Sequence, residues 1–278
     1  MMHHLQNLQN LQNLHTHTRY DDGADTPEEM IAAARAKGFS SIGFSGHSYM
    51  HYAPDHSMSM DGTEAYKREI RALQAAYRGD FDIFCGLEFD MYSEIDLSGY
   101  DYLIGSVHYL LRDGRHVGFD RSAEVVRSVI DEHFHGDGLA YARAYYETLA
   151  ELPRFGSFDI VGHFDLITKH SERAPFFDEE SPAYRSAALE AAHALAGKIP
   201  FFEVNTGAIA RGYRTTPYPS LFLMKELKRL GFGAVISSDC HDRRYLDCAF
   251  DAAAESLRAC GFTERYILTA SGFTAVAL

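Results

Sequence analysis

Six short stretches of the chain place imidazole or carboxylate side chains directly after apolar, β-forming runs. They read LHTHT, SGHS, GLEFD, GSVHY, VGHFD and SSDCHD. The side chains that they supply are His15, His17, His47, Glu88, His108, His163, Asp239 and His241. Mixed nitrogen and oxygen donors suit zinc, manganese or iron. Their recurrence along the whole chain predicts a site that holds more than one metal ion.

The first of these stretches carries geometric information of its own. Side chains alternate along a β-strand, so His15 and His17 point to the same face, and one ion can bind both. The four cysteines show no CxxC spacing. A structural zinc site closed by thiolates is therefore not expected.

Composition narrows the class of protein. A length of 278 residues suits one barrel-sized domain. A net charge of −13 disfavours a general binder of nucleic acid or membrane surfaces. That charge is compatible with a small phosphate ester as substrate, because bound cations reverse the local field.

No apolar run reaches about 18 residues, so no membrane span is expected. The cysteine pattern and the lack of a signal peptide favour the cytoplasm. The oligomeric state is left open.

Strands and helices alternate along the sequence. Strands are predicted over residues 11–15, 39–48, 82–87, 100–107, 158–167, 201–207 and 233–241, with a short last strand at 266–270. The first helix has a clear start, because Thr26, Pro27 and Glu29 form a capping box with proline in the first turn. Gly38 is expected to end it. Further helices are predicted at about 63–77, 141–152, 184–198, 221–231 and 248–261.

This alternation predicts one α/β domain with a parallel sheet. A barrel is favoured, because it gathers all its strand ends around one mouth, whereas an open sheet concentrates its site at a switch point. The barrel is expected to cover residues 12–278. Residues 1–11, which contain repeats of LQN, are expected to form an extension. Residues 111–140 are interpreted as an excursion with a histidine-bearing loop at 131–138.

The motifs taken together resemble the PHP (polymerase and histidinol phosphatase) superfamily from about residue 12 to the end. Within it, LHTHTRYDDGADTPEEM, GLEFD, GSVHYL, EVNTGAIARG and VISSDCH most resemble histidinol-phosphatases. The resemblance implies a distorted, TIM-like (β/α)7 barrel with a trinuclear site. The expected cofactors are two to three divalent metal ions (Zn, Mn or Fe).

The resemblance also implies which residues share each ion. His15, His17, Glu88 and Asp239 would hold the first ion. Glu88 would bridge to a second ion, which His108 and His163 complete. The third ion would be held by His47 and His241. Relatives often add a histidine from the first turn, but RYDDG has none. Asp22 is the candidate in its place, and Asp21 is the alternative.

The implied activity is hydrolysis of L-histidinol phosphate to L-histidinol and phosphate in histidine biosynthesis. A hydroxide bridging two metals would attack phosphorus, with Glu88, Asp239 and His241 as the catalytic residues. No GxSxG sequence suggests a serine nucleophile. The alternatives are a PHP enzyme for another phosphate ester or nucleotide, a metal-binding module without activity, and an amidohydrolase. Amidohydrolases commonly use a carboxylated lysine at a strand end, and no lysine occupies a ligand position here.

Several cations are candidates for binding the substrate. Arg211 and Arg214 follow the sixth strand and could hold phosphate through two hydrogen bonds each. Lys169 and Arg19 are further candidates, with a solvated surface cation as the alternative for all four. Glu203 would recognise the amine or imidazole of the substrate, or orient a metal ligand. Six histidines outside these stretches are expected to be non-ligands: His3, His4, His51, His56, His133 and His135.

Overall fold

The computed structural model describes residues 10–278. Its strands are β1 (Gln12–Asn13), β2 (Ser41–Phe44), β3 (Asp82–Asp90), β4 (Tyr102–Ser106), β5 (Tyr109–Arg112), β6 (Arg115–Gly118), β7 (Ile160–Val161), β8 (Phe201–Asn205), β9 (Gly233–Ser237), β10 (Glu264–Thr269) and β11 (Gly272–Ala277). Its α-helices are α1 (Pro27–Ala36), α2 (Met60–Ala76), α3 (Ala123–Phe134), α4 (Gly138–Ala150), α5 (Pro182–Leu195), α6 (Gly207–Ala210), α7 (Leu221–Arg229) and α8 (Phe250–Ala259).

Seven strands form one sheet in the order β1-β2-β3-β4-β7-β8-β9, and all of its pairs are parallel. The last strand returns to the first. Thr16 and Cys240 form a parallel bridge, and the His17 amide donates to the Cys240 carbonyl at 2.9 Å. The nearly closed seven-stranded barrel predicted from the sequence is confirmed.

The first helix forms as its capping signals predict. The Thr26 side chain accepts from the Glu29 amide, and the Glu29 carboxylate accepts from the Thr26 amide at 2.9 Å. Pro27 lies in the first turn, where its missing N–H costs nothing. The chain leaves the helix at Gly38, whose φ of +79° suits glycine. Helix α1 therefore begins directly after the turn that carries the candidate ligand Asp22.

The excursion at residues 111–140 contains more regular structure than predicted. Strands β5 and β6 form an antiparallel hairpin. The predicted loop at 131–138 is wrong, because His133 lies in helix α3 and His135 ends it in the left-handed conformation. The helix is specified by a Ser122 cap and a buried face at helical spacing. That face consists of Val126, Val129, Ile130 and Phe134.

Other boundaries also differ from prediction. The predicted strand 158–167 contains only Ile160–Val161, because the Leu166 amide donates to the His163 carbonyl at 2.8 Å and turns the chain. Residue Leu11, assigned to the extension, is buried in the core. His3 and His4 lie outside the described residues. The division into an extension and a barrel domain stays a prediction.

The barrel interior is filled below the strand ends. One buried cluster joins strand and C-terminal residues: Leu14, Phe84, Tyr102, Ile104, Ile160, Val235 and Leu268. Leu268 belongs to the hairpin β10–β11, of which only the first strand was predicted. The Gln12 side chain donates to the Leu268 carbonyl at 2.8 Å and accepts from its amide at 2.7 Å. The hairpin therefore closes the end of the barrel where the parallel strands begin. Across residues 10–278, no helix has the length and apolar character to cross a bilayer.

Gly86 leaves room for the Tyr102 ring inside the barrel. A Cβ at Gly86 would lie 2.2 Å from Tyr102 Cζ, so Gly86→Ala forces the ring or the strand to move. We expect a loss of about 1–3 kcal/mol in the free energy of unfolding, measured by urea denaturation. The control is Gly62→Ala in α2, where the added Cβ would lie no closer than 3.0 Å to any non-neighbouring atom, the nearest being Ser59 Oγ. Equal stability of the two variants would contradict this packing.

Candidate metal centre

The predicted ligands lie together at the carboxyl ends of the parallel strands. His15 and His17 follow β1, His47 follows β2, Glu88 is near the end of β3, and the others follow β4, β7 and β9. Parallel strands in a barrel deliver their ends to one mouth. The six sequence stretches therefore form one cluster, although up to 226 positions separate them.

Glu88 lies at the centre of this cluster and is 1% exposed. Its Oε2 lies 2.9 Å from His47 Nδ1 and 3.2 Å from His15 Nε2. Its Oε1 lies 2.9 Å from His163 Nε2 and 3.7 Å from His108 Nε2. One buried carboxylate thus faces four imidazoles, as expected of a ligand shared between two ions.

A first set of donor atoms comes from the two ends that close the barrel. Asp239 Oδ1 lies 3.3 Å from His17 Nε2 and 3.9 Å from His15 Nε2. All three residues offer donor atoms within 4.8 Å of one another. Glu88 Oε2 is 3.6 Å from His17 Nε2. These four residues are those expected to hold the first ion.

A second set surrounds Asp22, on the open side of the cluster. Asp22 Oδ1 lies 3.2 Å from His241 Nε2 and 3.9 Å from His47 Nε2. Asp21 is occupied elsewhere, since its Oδ2 lies 2.6 Å from His17 Nδ1 and accepts from the His47 amide at 3.0 Å. The geometry favours Asp22 over Asp21 as a ligand.

The third set differs in part from the expected one. His47, Glu88 and His108 have donor atoms within 4.8 Å of one another. His163 was expected in this set, and it contacts Glu88 but does not complete so compact a group. His47 instead lies between this set and the Asp22 set. The arrangement is one cluster with shared donors, because His17 belongs to the first and second sets and His47 to the second and third. Glu88 lies against the first set and within the third.

Three of the imidazoles are held from behind by buried carboxylates. The pairs are His15–Glu203, His17–Asp21 and His108–Asp90, with Nδ1···O distances of 2.9, 2.6 and 2.6 Å. A carboxylate on one ring nitrogen fixes the ring orientation and leaves the other nitrogen free to bind a metal. In each pair the free Nε2 faces the cluster.

The inner donor atoms lack hydrogen-bond partners in the part of the chain that the structure describes. Nε2 of His15, Nε2 of His17, Nδ1 of His47 and Oε2 of Glu88 are buried and make no hydrogen bond within residues 10–278. Buried polar atoms are normally hydrogen-bonded. Divalent cations bound between these four atoms would provide the partners that the atoms lack. The donor set therefore fits metal ions of the Zn, Mn or Fe type.

The electrostatics of the cluster favour positive charge. Burial opposes protonation of His15, but Glu203 and Glu88 outweigh it and raise its pKa well above the usual range. Burial disfavours the charged form of Glu88, but His15 and His47 hold its pKa well below the usual range. The buried carboxylates require cations, which can be protons or the metal ions that displace them.

Asp239 is held in an uncommon backbone conformation, with φ of +47°. Such a conformation in a non-glycine residue persists only when the surroundings impose it. Arg211 supplies part of this constraint, with Nη2 donating to Asp239 Oδ2 at 2.9 Å and Nη1 to the Asp239 carbonyl at 3.3 Å. Gly207 allows the approach, because a Cβ there would lie 2.9 Å from both Arg211 Nη2 and Asp239 Cβ.

A cavity of about 370 Å³ opens above the cluster. It is within the size range of small-molecule sites. Its walls include ligand candidates and three cations, Arg121, Lys169 and Arg211. The aromatic and apolar part of the wall comes from Met50, Tyr109, Leu166 and Tyr213.

Two of the four predicted substrate-binding cations line the cavity, and two do not. Arg211 and Lys169 line the cavity, and Lys169 Nζ lies 2.8 Å from Asp120 Oδ2. Arg214 does not line it, because its buried guanidinium donates to the Thr168 carbonyl and hydroxyl. Arg19 does not line it either. Its side chain is 63% exposed, and Nε donates to the Ala24 carbonyl.

Glu203 lies beneath the ligands and outside the cavity wall. It contacts His15, accepts from the His163 amide at 2.6 Å and is fully buried. This placement favours the orienting role over contact with the substrate.

Some residues of the site were missed by sequence reasoning. Asp90, which holds His108, lies two positions after Glu88 on the same strand face, so strand alternation could have indicated it. Arg121 and His56 line the cavity, and Arg121 Nη2 lies 3.1 Å from His56 Nε2. No local pattern marks these two, because separate excursions bring them together.

Fold and site together define an α/β barrel with histidine and carboxylate metal donors at its strand ends. The chain belongs to the PHP domain family, whose sequence model matches residues 13–207. The resemblance predicted from the sequence motifs is confirmed.

Relatives of the chain share one name. It is 30% identical over 249 residues to the probable histidinol-phosphatase of Deinococcus radiodurans, covering 85% of this chain and 88% of that protein. It is 26% identical over 263 residues to the histidinol-phosphatase of Bacillus subtilis, covering 87% and 97%. The crystal structure of Lactococcus lactis histidinol phosphate phosphatase with zinc, L-histidinol and phosphate superposes with a TM-score of 0.71. That likeness, at 20% identity, covers 95% of this chain and 99% of the other and supports the fold.

Glu203→Gln should weaken metal binding while preserving the shape of the side chain. The charge that orients His15 is lost, and loss of such an outer partner lowers metal affinity by about 10–100-fold. Zinc titration of the apoprotein by calorimetry measures the effect. The matched control is Glu190→Gln on α5, where the carboxylate is exposed. Unchanged zinc affinity in Glu203→Gln would contradict the orienting role.

Proposed function

We propose that the protein is a metal-dependent phosphatase that hydrolyses L-histidinol phosphate to L-histidinol and phosphate in histidine biosynthesis. The proposal rests mainly on the buried donor atoms around Glu88, which make no hydrogen bonds within residues 10–278, and on the cavity above them, whose wall carries cations. The shared name of the curated relatives supports the substrate. The zinc, L-histidinol and phosphate in the Lactococcus lactis structure support the cofactor and the small-molecule partner.

The cofactor in this proposal is two to three divalent metal ions, with zinc, manganese and iron as the candidates. The ligands would be His15, His17, Asp22, His47, Glu88, His108, His163, Asp239 and His241. Bound ions supply Lewis acidity, which polarises the phosphate and makes water a better nucleophile near neutral pH. The cytoplasmic location and the absence of nucleic-acid partners stay predictions.

The chain's own residues would prepare the site for a phosphate ester. Glu203, Asp21 and Asp90 hold three imidazoles in fixed orientations, so little reorganisation accompanies binding. Arg211 is oriented by Asp239 beside the cluster. Its guanidinium is suited to phosphate oxygens, because it offers several N–H groups in one plane. Lys169 provides a second positive charge in the same wall.

Substrate choice and metal dependence are tested with one preparation. Chelator-treated protein should be inactive, and zinc or manganese should restore phosphate release from L-histidinol phosphate at rates far above those for mononucleotides or glycerol phosphate. Glu88→Gln should lose at least about 10³-fold in kcat/KM, because it removes the carboxylate charge that would hold the ions. The control is Glu147→Gln on α4, because the Glu147 side chain is exposed. Comparable rates on mononucleotides would favour another phosphoesterase, and an active Glu88→Gln would contradict the mechanism.

Arg211 and Arg19 should differ sharply when each is changed to alanine. Arg211→Ala removes a positive charge beside the cluster, and we expect kcat/KM to fall about 10²–10³-fold. Arg19→Ala should stay within about twofold, because Arg19 lies outside the cavity wall. Metal content is measured with the kinetics, since Arg211 also holds Asp239. Equal activities of the two variants would contradict the assignment of Arg211.

A further inference from the structure

The turn that carries Asp22 is folded tightly against the end of β1. The Gly23 amide donates to the Thr18 carbonyl at 2.9 Å, and the Arg19 amide donates to the Asp25 carbonyl at 3.0 Å. A Cβ at Gly23 would lie 2.4 Å from the Thr18 amide nitrogen. Only glycine allows the backbone this close, so residues 18–25 form a compact unit.

This turn is hydrogen-bonded to the loop that follows β9. The Ala24 amide donates to the His241 carbonyl at 2.8 Å. The Arg243 amide donates to Asp25 Oδ2 at 2.7 Å, and the Arg243 guanidinium donates to Asp25 Oδ1. Asp25 is 6% exposed. The Arg243 guanidinium also lies 3.2 Å from Glu29 Oε1 of the α1 capping box.

Two of the predicted ligands, Asp22 and His241, lie beside this contact and are more exposed than the inner ones. Asp22 lies in the turn, and His241 lies in the loop directly after the Thr16–Cys240 bridge. Their side chains are 27% and 26% exposed, whereas those of His15 and His17 are fully buried. The His241 ring stacks on the His17 ring with a centroid distance of 4.0 Å, and its Nδ1 lies 3.1 Å from Arg211 Nη1. The 3.2 Å separation of Asp22 Oδ1 and His241 Nε2 therefore depends on where the turn places Asp22. The contact between Asp25 and Arg243 joins their two loops.

We infer that Asp25 and Arg243 are positioning residues that set the affinity of the outer metal site formed by Asp22, His47 and His241. The inference rests on the proposed function. Asp25 lies three positions after Asp22, and Arg243 lies two positions after His241. Loosening their pair lets the two ligands separate while the inner sets around Glu88 are retained. The pair therefore controls whether the protein holds three ions or two.

The experiment compares zinc binding by Asp25→Asn with that by Asp242→Asn. Asp242 lies on the same loop, but its carboxylate accepts only from Arg244 in the described contacts. Zinc per chain is measured by elemental analysis after gel filtration, and site affinities by titration of the apoprotein. Wild type and Asp242→Asn should bind three ions. Asp25→Asn should keep two ions at unchanged affinity and bind the outermost about tenfold more weakly.

Arg243→Ala provides a second, independent variant if Asp25→Asn folds poorly. It should weaken the same site, and the double variant should add little, because both changes break one contact. An Asp25→Asn or Arg243→Ala isotherm that matches wild type would overturn the inference. So would equal weakening of every site, since that would indicate general destabilisation. Wild-type protein that binds no zinc would refute the proposed function itself, which separates the two failures.

Discussion

The burial of the Glu88 carboxylate is the constraint on which the rest of the site depends. A buried anion is unfavourable unless positive charge faces it. Here the facing groups are imidazoles from four strand ends, and the low pKa of Glu88 and the high pKa of His15 and His47 express the same mutual stabilisation. Positive charge is therefore needed inside the barrel mouth to stabilise the buried carboxylate. A divalent metal ion supplies more positive charge than a proton bound to an imidazole.

The geometry of the barrel brings these positively charged groups to Glu88. Parallel strands bring groups that are far apart in sequence to one mouth, while Tyr102 and Leu268 fill the interior below them. Around the inner donors, Glu203, Asp21 and Asp90 hold histidines from behind. The metal-binding nitrogens are thus fixed before any ion arrives, which limits the ordering entropy that binding must overcome. The outer side is less constrained, and it depends on contacts between loops.

Several parts of the fold and the site were predictable, because the signals for them lie within short stretches of sequence. The His15–His17 spacing follows from strand alternation, and the capping box at Thr26 specifies α1. The orienting role of Glu203 was one of two open alternatives, because its contact with His15 spans 188 positions. Arg214 looked like a phosphate ligand from its position, but Thr168, 46 positions away, takes its guanidinium. Charge and position in a loop do not show which polar groups the folded chain has already paired.

Anomalous diffraction from crystals grown with manganese and phosphate tests the central claim most directly. The account predicts at least two strong anomalous peaks, with Glu88 contributing a carboxylate oxygen to each of two neighbouring ions and His15 and His17 ligating one of them. It also predicts phosphate beside these ions, within reach of Arg211. A cluster with no ordered cation on Glu88, or a single ion ligated without it, would contradict the account.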